Sequence, residues 1–266
     1  MADLNPVAAW RRMLAAPNDS RGKTIAMAFV VATICAVMVT GATVVLRPIQ
    51  TANRAAEQNA RLEQLIATIP GMTELLAQSP DGALSTVVIE IPQGRAHPEV
   101  TPEGLDSALQ DNSNWTGLTP AQDTAGIGSR PDLTQIYLLR ENDRVSLVIL
   151  PMVGAGYNGP IQAMLALRGD MATIAGLAIT QQGETPGLGA RIEEPAWLSQ
   201  FPGTRAVASD GTLRFAVARG PASNEYEVDG ITGATRTSNA ITQMVRFWLG
   251  PDGYGPLMAA IQRGDF

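Results

Sequence analysis

Residues 134–180 read TQIYLLRENDRVSLVILPMVGAGYNGPIQAMLALRGDMATIAGLAIT, and this stretch sets the fold class. Four runs rich in aliphatic and β-branched residues, Thr134–Arg140, Val145–Leu150, Ile161–Arg168 and Thr173–Thr180, are separated by turn-forming residues. Glu141-Asn142-Asp143 predicts one hairpin and Gly169-Asp170 a second. Working outward, Thr86–Ile91 reads as a strand before the stretch, and Thr212–Val217 and Glu225–Val228 as short strands after it. Helical patterns fall at Glu194–Phe201, Ser238–Leu249 and Tyr254–Arg263. Strands paired with their neighbours and helices gathered at the end predict an α+β domain with a largely antiparallel sheet.

Gly154-Ala155-Gly156-Tyr157-Asn158-Gly159 spells G-x-G-x-x-G directly after a strand. A dinucleotide site needs that loop to open a helix, whose N-terminus meets the pyrophosphate. Here Pro160 and another strand follow, so the glycines read as a tight link between two strands.

Upstream, Thr24 to Leu46 (TIAMAFVVATICAVMVTGATVVL) carries no charged residue. As a helix it would extend roughly 34 Å, enough for a bilayer core of about 30 Å. Neither the length nor the exit sequence suits a cleaved signal peptide. Arg11, Arg12, Arg21 and Lys23 precede it; Arg47, Arg54 and Arg61 follow. By the positive-inside rule residues 1–23 are expected in the cytoplasm of a bacterium and the large domain in the periplasm, beyond the inner membrane. The chain counts 19 Lys+Arg against 25 Asp+Glu, a net charge of −6. Only Asp3 and Asp19 of those acids precede the anchor, so the excess lies on the large domain, and nucleic acid is excluded as a partner. Cys35 is the single cysteine and His97 the single histidine, which excludes a disulfide or a Cys/His zinc site within the chain. Residues 47–70 predict a stalk helix stopped by Pro70-Gly71, and 71–266 the extracytoplasmic domain. Within it, 92–131 is poor in large apolar residues and reads as a surface insertion holding a solvent-facing His97.

The chemistry concentrates at Asp229-Gly230-Ile231-Thr232-Gly233-Ala234-Thr235-Arg236-Thr237-Ser238, between a short strand and an amphipathic helix. Thr237 or Ser238 is a natural N-cap, which places Thr235 just ahead of the helix, near free N–H groups that favour an anion. On physical grounds alone this is a capped turn or a phosphate site.

D-G-x-T-G-A-T-x-T-S resembles the flavinylation motif of FMN-binding domains. There FMN is joined through its phosphate to the threonine of the G-A-T triplet, here Thr235, with Thr237 as the fallback. Glu184-Thr185-Pro186-Gly187-Leu188-Gly189 matches the E-T-P-G-L-G loop of the same family. The junction Arg47-Pro48-Ile49-Gln50, Pro195-Ala196-Trp197-Leu198 and the ending from Trp248 to Leu257 are similar to the C subunit of the sodium-translocating NADH:quinone reductases. The resemblance implies one covalent FMN per chain, held by Asp229, Thr232, Gly233, Ala234, Glu184, Thr185, Gly187, Leu188 and Gly189. It also implies electron relay as a subunit of that oxidoreductase, partner subunits bearing flavin or iron–sulfur centres, and a flavin transferase for maturation. Tyr157-Asn158 stands where the family leads us to expect Leu-Trp, so Tyr157 is the expected substitute contact; Leu188 and Trp197 are further candidate covers for the ring. The equivalent FMN subunit of the related Rnf ferredoxin:NAD complex is the near alternative, and an anchored binding domain without redox activity the distant one.

Overall fold

The computed structural model describes Ala15, Pro17 and residues 20–68, 85–141 and 144–266. Residues 1–14, the Pro70-Gly71 stop and the Asn142-Asp143 turn lie outside the described residues. Helix α1, Arg21–Thr68, contains both the expected anchor and the described part of the stalk as one helix. Its Arg21–Gly41 portion, with mean hydropathy 2.2, is long and apolar enough to cross a membrane. Ile25 and Phe29 there are 70% and 72% exposed, an apolar outer face that suits lipid and not water.

The remainder contains strands β1 (Ser85–Glu90) and β2 (Arg95–Ala96), a short helix α2 (Leu105–Ala108), and β3 (Trp115–Gly117) and β4 (Ser129–Pro131). Then come β5 (Leu133–Glu141), β6 (Arg144–Ala155), β7 (Pro160–Arg168), β8 (Ile174–Gln181) and a single turn of helix, α3 (Pro195–Leu198). Two short strands, β9 (Ala216–Val217) and β10 (Glu227–Val228), precede α4 (Thr235–Leu249) and α5 (Gly255–Arg263). Six strands form one sheet in the order β2-β1-β5-β6-β7-β8, antiparallel throughout. The register puts Ser85, Leu138, Val148 and Leu167 on one level, and Ala155 and Pro160 at the opposite end of the strands.

Alternation along the strands divides their side chains between two faces. Ile136, Leu138, Val148, Leu150, Leu165 and Leu177 join the main core, on which α4 lies; Leu139, Leu147, Ile149 and Ala166 form a second cluster. Gly250 ends α4, and Pro251 follows. The helix is fastened to the sheet by polar as well as apolar contacts: the Trp248 indole N–H donates to Val153 O at 2.7 Å. Tyr254 is fully buried and donates its hydroxyl to Pro151 O at 2.6 Å; burial pushes the phenol upward from its usual pKa.

Segment 92–131, expected as a surface insertion, carries β2, α2, β3 and β4 and is largely exposed or half-buried. Leu105 of α2 closes a small cluster with Val88 and Leu133, and the buried Arg130 pairs with Asp132 at 2.9 Å. His97 is half-buried, its backbone N–H bonded to Val88 O, and is not the solvent-facing residue expected. Of the expected helix 194–201, only Pro195–Leu198 is α-helical, and Thr212–Val217 shortens to the two residues of β9.

Replacing Trp248 with Ala removes a side chain only 2% exposed together with its bond to Val153. We expect a loss of about 3–5 kcal/mol in denaturant unfolding, with Trp248→Phe recovering part of it.

Candidate functional site

Three segments remote in sequence converge at one end of the sheet: the β6–β7 turn at 156–159, the loop after β8, and the first turn of α4. Their meeting point is Glu184, 5% exposed. Its Oε1 accepts the backbone N–H groups of Tyr157 at 2.7 Å and Asn158 at 3.2 Å. Its Oε2 accepts the Thr237 hydroxyl at 2.5 Å. The Glu184 N–H donates to Gln182 Oε1 at 2.5 Å, and Asn158 Nδ2 donates to Thr185 Oγ1 at 2.9 Å. A buried carboxylate is tolerable only when its oxygens are hydrogen-bonded in this way.

Glycines clear the space it occupies. A Cβ on Gly156 would collide with Glu184 Oε1, and one on Gly189 would stand 2.6 Å from both Glu184 Oε2 and Thr237 Oγ1. The glycine pattern of 154–159 thus serves a hairpin in which Gly156 N–H donates to Gly159 O at 2.8 Å. Gly154 in turn admits the side chain of Met244 from α4, against which a Cβ would stand at 2.9 Å.

Helix α4 begins at Thr235, three residues before the expected start, with Ala234 as N-cap and no side-chain cap. The hydroxyls that looked like caps are committed elsewhere: Thr237 to Glu184, and Ser238 to the Ile231 N–H at 3.4 Å. Thr237 and Ser238 are 2% and 3% exposed, whereas Thr235 is exposed. The leading N–H groups of α4 are therefore open to an anion beside the Thr235 hydroxyl. Thr232 and Gly233 are exposed in the preceding turn, which Gly233 permits with φ 80°, and Ala234 is buried.

Around Thr235 lie Tyr157, 57% exposed, and Leu188, 44% exposed. Outside α1, Trp115 is the only other exposed large hydrophobic residue among those described. Leu188 Cδ2 lies beside Gly233, 3.1 Å from where a Cβ would be, and Gly187 turns that loop with φ 74°. The Arg236 guanidinium stands 5.0 Å from the Tyr157 ring centroid.

Two expected contacts point elsewhere. The exposed Asp229 accepts the Ala222 N–H at 2.7 Å, so its carboxylate holds the 219–224 loop and not the Thr235 turn. Trp197 is 6% exposed, packs edge-on to Phe201 and donates to Asp229 O at 2.8 Å, which makes it core and not a cover. Sequence reasoning missed Arg236, Asn158, Gly156 and Gln182. Only Gly156 carried a signal, in the glycine pattern discounted for dinucleotides.

These features suit a flavin phosphate: an exposed hydroxyl at an uncapped helix start, side-chain-poor turns at Gly233 and Gly187, and apolar surface at Leu188 and Tyr157. The FMN-binding domain family matches residues 156–250, a span that runs from the glycine turn to the end of α4 and holds all three segments. The C subunit of the Na(+)-translocating NADH-quinone reductase of Yersinia pestis is 34% identical over 258 residues, covering 93% of this chain and 95% of that one. Its Vibrio alginolyticus counterpart is 32% identical, covering 95% and 99%. The crystal structure of Shewanella oneidensis NqrC shares the fold, with a TM-score of 0.66 at 21% identity over 78% of this chain and 99% of the other.

Crowding at Gly189 yields a direct expectation. Gly189→Ala should destabilise the chain by about 1–3 kcal/mol in denaturant unfolding, while Gly183→Ala, where a Cβ meets nothing nearer than 3.7 Å, should cost little.

Proposed function

Because this chain belongs to the NqrC family, the C subunits of Na(+)-translocating NADH-quinone reductases, we propose that Thr235 carries its FMN as a phosphodiester. The chain is an electron-relaying flavoprotein subunit of that oxidoreductase, with FMN as its cofactor. The observation that carries the assignment of Thr235 is the contrast between the two threonines of the motif. Thr235 is exposed at an uncapped helix start, while the Thr237 hydroxyl is buried and engaged by Glu184.

Esterification requires an activated flavin phosphate and a flavin transferase. In that step the Thr235 oxygen would bond to phosphorus, the anhydride P–O bond of the donor would break with the other phosphate of the donor as leaving group, and the hydroxyl proton would pass to solvent. The first turn of α4 would hold the resulting phosphodiester anion, its leading N–H groups and the helix dipole favouring negative charge there. The flavin supplies reversible electron transfer, and the protein's own part is to hold it and set its surroundings. Tyr157 and Leu188 offer the apolar surface for the ring. The Arg236 guanidinium, which stands over the Tyr157 ring, would supply a positive charge on this side of the site. Thr232 and Gly233 leave the approach open. A tether of this kind suits relay between fixed partner subunits, because the carrier cannot diffuse away. We place residues 1–23 in the cytoplasm and 71–266 in the periplasm of the bacterial inner membrane, a reading supported by the basic residues ahead of the anchor.

The test is mass spectrometry of full-length chain purified from cells that hold the transferase. The wild type should be heavier by one FMN residue on the peptide containing Thr235 and fluoresce in denaturing gels. Thr235→Ala should lose both signals and Thr237→Ser should keep them. An increment that maps to Thr237 overturns the assignment.

A further inference from the structure

Glu184 does more than fill its cavity. Its three donors, Tyr157 N–H, Asn158 N–H and the Thr237 hydroxyl, are all uncharged and belong to two of the segments that surround Thr235; Glu184 itself opens the third. Among the described residues no cation pairs with it, and a carboxyl group buried in that way is a costly means of accepting backbone hydrogen bonds. What it provides here is geometry, with one oxygen holding the 156–159 turn and the other holding α4.

The α4 end of that tie matters because no side chain caps the helix start. Residues two apart on a helix point about 200° from one another. The inward Thr237 and the outward Thr235 therefore belong to one rigid turn, and fixing the first sets the direction of the second. The Ser238–Ile231 bond, at 3.4 Å, is the longer of the two side-chain bonds at this turn.

Taking Thr235 as the esterified residue, we propose that Glu184 is the positioning residue for flavin attachment. By gripping the Thr237 hydroxyl and the Tyr157 turn together, it aims the Thr235 hydroxyl outward and seats the attached ring between Tyr157 and Leu188. Glu184 touches neither phosphate nor ring in this scheme; it acts through Thr237 and the two backbone N–H groups.

The test compares Glu184→Ala, Glu184→Gln, Thr237→Val and Thr237→Ser in the full-length chain, each treated with limiting flavin transferase. Gln keeps an acceptor for the turn and a polar partner for Thr237, and Val keeps the shape of Thr237 without its hydroxyl. Initial labelling of Thr235 should fall tenfold or more in Glu184→Ala and Thr237→Val, and stay within threefold of wild type in Glu184→Gln and Thr237→Ser. The visible circular dichroism of the attached flavin, which reports a ring held in one orientation, should fall by half or more in the first pair and persist in the second. Labelling at the wild-type rate with unchanged dichroism in a folded Glu184→Ala overturns the proposal. Should that variant not fold, the same result in Thr237→Val overturns it. A wild-type chain without FMN on Thr235 overturns instead the attachment assignment beneath it.

Discussion

Three segments at one end of this molecule meet at one buried carboxyl group. Glu184 is reached by donors from a strand turn and from a helix, and both come close because two glycines give up their side chains. Gly156 yields the space on one side of the carboxyl group and Gly189 on the other. The same segments also meet through the Arg236 guanidinium over the Tyr157 ring. Asn158 to Thr185 and Leu188 against Gly233 are peripheral contacts that follow from the central one.

The sheet supplies the platform. β6 carries the second half of α4, and its carbonyls at Pro151 and Val153 receive the Tyr254 and Trp248 side chains. Gly154 lets Met244 approach the strand closely. On the other flank, Thr242 Oγ1 accepts the Val217 N–H at 2.9 Å and Arg246 donates to Phe215 O at 2.7 Å. The second half of α4 is thus pinned on both sides, and its first turn is held by Thr237 and Ser238.

Much of this architecture is legible in residue patterns, and the failures have physical causes. The runs around Val145 and Ile161 announce strands because β-branched and aliphatic residues suit a pleated, buried surface. The pattern stops β6 at Leu150, since Pro151 ordinarily interrupts a strand, yet the strand continues to Ala155. The start of α4 is misplaced for a related reason: Thr237 and Ser238 have the right chemistry for caps, but tertiary partners claim their hydroxyls first. Glu184 is visible as part of a motif, but its function is not, because its partners lie 27 and 53 positions away. Asp229 shows the converse, a motif residue whose local bond faces the neighbouring loop.

The register of the sheet also fixes the level at which the Thr235 turn stands. β1 starts at Ser85, level with Val148, whereas Thr235 sits with the turn beyond Ala155. Seven residues of strand separate those levels, about 23 Å at the usual rise. Thr235 and the Glu184 tie therefore lie at the end of the strands opposite Ser85.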